Sequence, residues 1–437
     1  MSEVTIEKIV SLTKRRGFIF QSSEIYGGLA SSWDYGPLGV ELKRNIKDAW
    51  WREMVYERDD VFGLDASILM HPRVWEASGH SRNFTDPFLN CSFCNKYYRQ
   101  DNPEIKDRLC PSCGKPLSQE VTQANLMLET YLGPIKETAL KVFLRPETAQ
   151  GIFVNFANIL VTKHPKLPFG IAQIGKAFRN EITTGNFTFR SREFEQMELE
   201  YFVRPEEDEK YYDFWIHERL NWYIKLGINK NNLRLRPHSK DELAHYAKAC
   251  TDIEYNFPFG WMELEGIANR TDFDLRQHSQ FSGVELSYFD DQKKVNFFPY
   301  IIEPSGGVDR SLLAFLIDAY HEEKVKGEKR IVLRLNKKLA PIKVAVFPLL
   351  RNRPEIVEMA KKIYIDLRKY FVATYDDTAS IGRLYRRQDE IGTVYCITVD
   401  VQSLSDKQVT VRERDTMIQE RVSVDKLREY LSAKLLE

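Results

Sequence analysis

The chain's apolar residues recur with two periods. Leu42, Ile46, Ala49, Trp50 and Met54 share one face at helical spacing and predict a helix over residues 40–56. A shorter amphipathic helix fits residues 3–16, with Gly17 placed to stop it. Strand-like runs follow at 61–70, 125–131 and 141–144, and 152–160 reads as an apolar helix. Residues 171–178 mix apolar side chains with glycine, as a buried strand does. Phe187, Phe189 and Phe194 then alternate with charged residues, as on a strand with one face in a cleft. Thr184-Gly185-Asn186 is a turn signal between them, so the pair predicts a hairpin. Aromatic residues crowd 211–226, which reads as core, and 241–248 predicts a further helix. Within 257–270, Glu263 and Glu265 alternate with apolar residues and are expected on the same side of a strand. A strand over 296–302 leads through a turn into the apolar helix 311–320, and the charged stretch 322–338 reads as a linker. From residue 341 onward, strands at 342–349, 394–399 and 408–412 alternate with a helix at 354–370, which suggests a small α/β layer.

Composition narrows the class. Lys+Arg and Asp+Glu both number 63, so any contact with nucleic acid must come from a local patch rather than a global field. No apolar run approaches a membrane span, and the N-terminus lacks the layout of a signal peptide, which places the expected location in the cytosol. Six cysteines in a reducing compartment point to metal or free thiols. Cys91-x2-Cys94 and Cys110-x2-Cys113 have the spacing of a four-thiolate zinc site with no position left open for catalysis. Cys250 and Cys396 read as core. The glycine-rich stretch 26–39 fits no phosphate-binding fingerprint and reads as an ordered loop.

Three words stand out. Phe178-Arg179-Asn180-Glu181 followed by Arg190-x3-Phe194-x3-Glu198 resembles motif 2 of the class II aminoacyl-tRNA synthetases. The helix–strand–proline layout of 40–72 resembles motif 1, and Glu303-Pro-Ser-Gly-Gly-Val-Asp-Arg310 resembles motif 3. With Arg145-Pro-Glu-Thr-Ala-Gln-Gly-Ile-Phe153, the pattern is similar to glycyl-tRNA synthetases of the single-chain, homodimer-forming type. Two departures stand out: the cysteine pattern at 88–119, and Asp309 before the motif 3 arginine, where other members carry glycine and no chemical consequence is expected.

The resemblance implies an α+β catalytic domain over 1–338, an antiparallel sheet flanked by helices, with a zinc-ribbon-like insertion at 88–119. It implies an α/β anticodon-binding domain over 341–437, where the arginines of 380–389 offer a platform for unstacked bases. The implied activity is ATP-dependent attachment of glycine to tRNA(Gly), with ATP as substrate, Mg²⁺, and structural Zn²⁺. Arg179 and Arg310 are the implied catalytic residues. The implied ATP contacts are Arg179, Asn180, Glu181, Phe189, Arg190, Ser191, Arg192, Glu193, Phe194, Glu263, Leu264, Gly307, Val308, Asp309 and Arg310, with Glu263 as the candidate for Mg²⁺. The implied glycine contacts are Arg99, Glu147, Phe194, Glu195, Gln196, Met197, Glu198, Glu303, Pro304, Ser305, Gly306 and Gly307. A structural alternative pairs Glu147, Glu198 and Glu303 with nearby arginines such as Arg145 and Arg192. The alternative function is a synthetase-like paralogue that binds RNA or a polymerase without activating an amino acid, but such proteins lose the phosphate-binding arginines, which this chain retains.

Overall fold

The structure is a computed structural model that describes residues 4–436 apart from Asp101, Pro103, residues 182–184 and Lys326. Its centre is a seven-stranded sheet of β1 (Val61–Gly63), β2 (Phe169–Phe178), β3 (Glu193–Val203), β4 (Leu233–Pro237), β5 (Ala249–Phe257), β6 (Gly260–Thr271) and β7 (Tyr300–Gly307), ordered β4-β5-β6-β7-β3-β2-β1. All neighbours are antiparallel except β1 and β2 at one edge. Three helices cover one face: α1 (Pro37–Trp51), α2 (Asp208–Lys225) and α3 (Val308–Ala319). Met197, Leu199 and Tyr201 of β3 join Leu42, Ile46 and Trp50 of α1 and Trp215, Trp222 and Tyr223 of α2 in one core. The predicted helix 40–56 and the aromatic core at 211–226 therefore stand. The helix ends in a wider π turn, Arg52–Tyr56, which keeps Met54 buried.

Several expectations change. The strand expected over 61–70 pairs only through Val61–Gly63, with Leu69 bridging Leu144. Phe187 and Phe189 lie in a tight 3-10 turn rather than on the strand. Asn186 and Phe187 take left-handed backbone, and their neighbours pack sideways, Phe187 on Trp33 and Phe189 on Phe257 and Phe259. The hairpin itself forms, from Glu193 pairing Phe178 to Phe202 pairing Phe169; Thr184 of its expected turn lies outside the described residues. Residues 241–248 form turns, with the Lys248 N–H tied to the Asn269 carbonyl at 2.8 Å. The helix expected over 152–160 is split into Ala149–Phe153 and Phe156–Lys163.

The stretch 322–338 is not a linker. Tyr320–Val325 and Glu328–Leu333 pair as a hairpin that leaves α3 and packs on a helix of the C-terminal unit, α4 (Ile381–Ile391). Arg330 is fully buried there and holds Asp389 of α4 at 2.8 Å. The C-terminal unit is a five-stranded mixed sheet, Ala373–Tyr375, Val344–Pro348, Tyr395–Val399, Gln408–Glu413 and Gln419–Ser423 in spatial order, parallel on one side and antiparallel on the other. The predicted α/β layer is thus present.

Helix α1 sits where it does because Gly39 lets it touch the chain at Phe18. A Cβ on Gly39 would stand 1.8 Å from the Phe18 carbonyl oxygen, a backbone atom that cannot swing away. Gly39→Ala is expected to destabilise the fold by about 1–3 kcal/mol, as overpacking does. Exposed Val40→Ala should leave the urea midpoint nearly unchanged. Equal midpoints for the two variants would show that α1 is not packed this closely.

Candidate active site

Period-two alternation on β3 decides which motif 2 side chains reach the cleft. Phe194, Gln196, Glu198 and Glu200 point to the open face, whereas Glu195, Met197 and Leu199 point to the helices. Two implied glycine contacts are therefore corrected. Met197 is core, and Glu195 pairs with Lys43 at 2.9 Å and Lys47 at 3.0 Å on the helix side. The same rule applies on β7. Glu303 and Ser305 face the cleft, so Pro304 and Gly306 do not, and the missing Cβ of Gly306 makes room for Glu265 on the far face.

On β6 a bulge intervenes. Glu263 pairs with Glu254 but Glu265 with Ile253, leaving Leu264 as the extra residue. The two glutamates expected on one side thus part. Glu265 is buried against Arg219 of α2 at 2.6 Å, while Glu263 meets Arg310 at 3.1 Å in the cleft. Arg310 above all holds the Glu263 carboxyl below its ordinary range. The side chains of Leu264 and Val308 lie in the core.

The cleft is lined by Arg179, Glu181, Thr188, Phe189, Arg190, Ser191, Phe194, Gln196, Glu263, Ser305, Gly307, Asp309 and Arg310. The Arg179 guanidinium lies between the rings of Phe84 and Phe194, 5.2 and 5.3 Å from their centroids, with Nε donating to the Pro146 carbonyl at 3.1 Å. Arg310 lies over Phe189 at 4.5 Å and donates from Nε to its carbonyl at 3.2 Å. Arg190 stands 3.7 Å from Glu181. Other implied ATP contacts are engaged elsewhere. Arg192 holds the glycine-rich loop and its own hairpin through the Ala30 and Glu181 carbonyls. Glu193 pairs with Lys176 at the surface, and the Asn180 N–H binds the Leu126 carbonyl.

Behind Ser305 lies a closed group of acids. Glu198 accepts from Ser305 Oγ at 2.8 Å and from Thr148 Oγ1. Glu303 pairs with Arg270 at 2.7 Å, and Arg270 is bidentate to Asp274. Glu147 meets His80 at 3.3 Å and accepts from Gln150 at 2.9 Å. Burial alone would raise the Glu147 carboxyl, but His80, then Arg270 and Gln150, hold it below its ordinary range. Burial, with the neighbouring Glu198 and Glu147 carboxylates, pushes Glu303 well above its range despite Arg270. Burial and Glu303 push Glu200 up as well, and neither of its carboxyl oxygens has a hydrogen-bond partner among the described residues.

The alternative, in which Glu147, Glu198 and Glu303 pair with nearby arginines, holds for Glu303, whose partner is Arg270. Among the described residues Arg145 and Arg192 pair with none of the three, and Arg145 instead ties the Lys176 and Ala66 carbonyls. Sequence reasoning missed Arg270, His80 and Asp274. Arg270 ends the stretch 257–270, and its place one strand from Glu303 becomes visible only with the register. Arg99 stands beside the cysteine knuckles, paired with Asp86 at 3.0 Å, and is not among the residues lining the cleft.

The four cysteine sulfurs lie within 4.8 Å of one another, with Cys91–Cys113 at 3.5 Å and Cys94–Cys110 at 3.6 Å. Tetrahedral zinc with bonds of about 2.3 Å sets its sulfurs about 3.8 Å apart, so the donor set fits. The two knuckles are alike. Asn95 and Gly114 take left-handed backbone and donate to the Cys91 and Cys110 carbonyls, each at 2.8 Å.

Comparisons with known proteins agree with this architecture. Residues 135–320 match the tRNA synthetase class II core domain of the G, H, P, S and T group, and residues 343–434 match the anticodon binding domain. A prolyl-tRNA synthetase from Cryptosporidium parvum, solved with L-proline and AMP, superposes with a TM-score of 0.66 over 98% of this chain and 77% of its own, at 14% identity, which shows the fold alone. A glycine–tRNA ligase of Caldanaerobacter subterraneus subsp. tengcongensis is 52% identical over 99% of both chains. That of Thermobifida fusca is 53% identical over 98% of both, and that of Streptomyces coelicolor 52% over the whole of both. Identity of this order along the full length, on a class II core with its anticodon-binding domain, shows that the chain belongs to the glycine–tRNA ligase family.

Proposed function

We propose that this enzyme attaches glycine to tRNA(Gly) through a glycyl-adenylate formed from ATP, in a catalytic domain over 1–338 and with an anticodon-binding domain over 341–437. The observation that carries the reading is the cleft itself, lined together by Arg179, Arg190 and Arg310 and backed at Ser305 by Glu198. A paralogue without activation chemistry is not favoured.

The glycine carboxylate is already a nucleophile, so the protein's task is to bring two anions together and stabilise charge on the α-phosphorus. Arg179 bridges the carboxylate and the α-phosphate, and its stacking between two rings pre-sets the fork. Arg190 and Arg310 hold the outer phosphates, and Phe194 supports the adenine. Glu263, at the cleft rim, is the carboxylate that would hold Mg²⁺, which when bound neutralises phosphate charge. Glu198 and Glu303 receive the ammonium group, and the packed acids leave no space for a side chain.

No helix among the described residues is long and apolar enough to cross a membrane, and the reading places the enzyme in the cytoplasm. It is of the homodimeric type, with α1 and the exposed Ile25, Tyr26 and Leu29 near the partner. The tRNA anticodon arm meets α4, where Arg383, Arg386, Arg387 and Tyr385 line a groove with Arg16.

Arg179→Ala is expected to lower kcat/KM in glycine-dependent pyrophosphate exchange by about 100-fold or more, as loss of a charge-stabilising donor does. Arg179→Lys should stay within about tenfold of the alanine variant, since a point charge does not replace a fork. Near-normal exchange by the lysine variant would remove Arg179 from this role.

Glycine should be preferred over alanine and serine by more than the roughly 10- to 200-fold that pocket size alone yields. Glu198→Gln should lose glycine activation. Comparable activation of alanine by the unaltered enzyme would end the exclusion model.

Protein purified without chelator should carry one zinc per chain, and Cys91→Ser should lose it together with thermal stability. Metal content near zero in a normally folded preparation is the contrary result.

A further inference from the structure

Asp309, an implied ATP contact, has its carboxylate engaged by three donors on the helix side of the sheet. It opens α3 one position before Arg310, yet it is buried. Its Oδ1 accepts from Lys43 Nζ at 2.7 Å and from the Tyr35 hydroxyl, and its Oδ2 accepts from the Glu195 N–H at 2.7 Å. Lys43 reaches Glu195 Oε2 at 2.9 Å as well, and lies over the Tyr35 ring at 4.2 Å. Lys43 belongs to α1, Glu195 to β3 and Asp309 to α3, so the elements of all three motifs meet at a single ammonium group. The same α1 donates from Asn45 to the Leu339 and Ala340 carbonyls, where the C-terminal unit begins.

The geometry points to Lys43, Asp309 and Glu195 as a positioning unit that sets the first turn of α3, and through it the direction in which Arg310 presents its guanidinium to ATP. In the cleft Arg310 is oriented by two residues, through the Phe189 ring and carbonyl and the Glu263 carboxylate and carbonyl. Those contacts lie on residues that ATP itself must meet. Lys43 and Glu195 lie outside the cleft, and through Asp309, which borders it, they fix the helix turn before the nucleotide arrives. Removing the ammonium would leave two carboxylates facing each other in a low-dielectric setting, which forces them apart. Because Asp309 and Arg310 are adjacent on one helical turn, that displacement moves the arginine. Lys43, Asp309 and Glu195 touch no reacting atom in this scheme.

The inference rests on the proposed contact between Arg310 and ATP, and the test separates the two. Equilibrium affinity for ATP is measured by calorimetry in the full-length protein, without glycine, for the unaltered chain, Lys43→Met, Arg310→Ala and the double variant. Lys43→Met is expected to weaken ATP about tenfold, in line with loss of one oriented charge contact. In the Arg310→Ala background the same change should cost less than about twofold, because the group it acts through is gone. The KM for glycine should shift less than twofold, and Lys43→Met with Asp309→Asn should regain most of the affinity, since the facing charges are then relieved. A general loss of structure would instead raise the glycine KM as well and would not be rescued. Additive losses in the double variant overturn the positioning role. Unchanged ATP affinity in Arg310→Ala overturns the nucleotide reading of Arg310, and the node's role with it.

Discussion

The two faces of the central sheet have to be kept apart, and most of the structure follows from that requirement. One face is covered by α1, α2 and α3 and is largely apolar; the other carries the charged groups of motifs 2 and 3. A strand presents alternate residues to the two sides, so Phe194, Gln196 and Glu198 of β3 reach the charged side while Met197, Leu199 and Tyr201 pack under the helices. Phe202, in phase with the former, joins a second apolar cluster with Phe156 and Phe169. Where a charge falls on the covered face it is paired at once, as Glu265 is with Arg219 and Glu195 with Lys43. An unpaired charge there would cost several kcal/mol, on the order expected for a broken buried ion pair.

The open face is graded. Its deep part is a network in which Glu147, Glu303, Asp274, Arg270 and Gln150 satisfy one another, so the shape of the acid pocket is set before any ligand arrives. In its outer part Arg310 meets Glu263 and Arg190 meets Glu181, whereas Arg179 is oriented by aromatic rings and a carbonyl. Arg179 makes no salt bridge among the described residues, and ring contacts direct a guanidinium without cancelling its charge. This suits a site that must receive phosphates at the rim and an ammonium group at the base.

The contact between the two units follows the same logic. Asp389 of α4 is shared by Arg330 from the hairpin and Arg412 from its own sheet, and Arg414 binds the Leu335 and Gly392 carbonyls. The hairpin leaves α3 directly, so the C-terminal unit is anchored to the helix that carries Arg310 in its first turn. A charged stretch that looked like a tether is in fact a brace.

Much of this was legible in the residues themselves. The hairpin of 169–203, the helix at α1, the aromatic core of α2 and the cysteine knuckles all follow from local spacing, because period, turn chemistry and thiol pairs are properties of neighbours in the chain. The motif arginines were legible only through the resemblance of their words to the class II motifs. What could not be read there was anything decided by register or by a distant partner. The bulge at Leu264 sends Glu263 and Glu265 to opposite faces, and alternation alone predicts the reverse. Arg270, far from Glu303 in sequence, meets it only across paired strands. Asp309 and Lys43 are separated by more than half the chain and acquire their role from a single buried contact. Sequence determined which groups were available and on which element each would lie; tertiary packing decided which were paired, which stayed open and which direction they faced, since burial and charge pairing depend on neighbours that only the folded chain supplies.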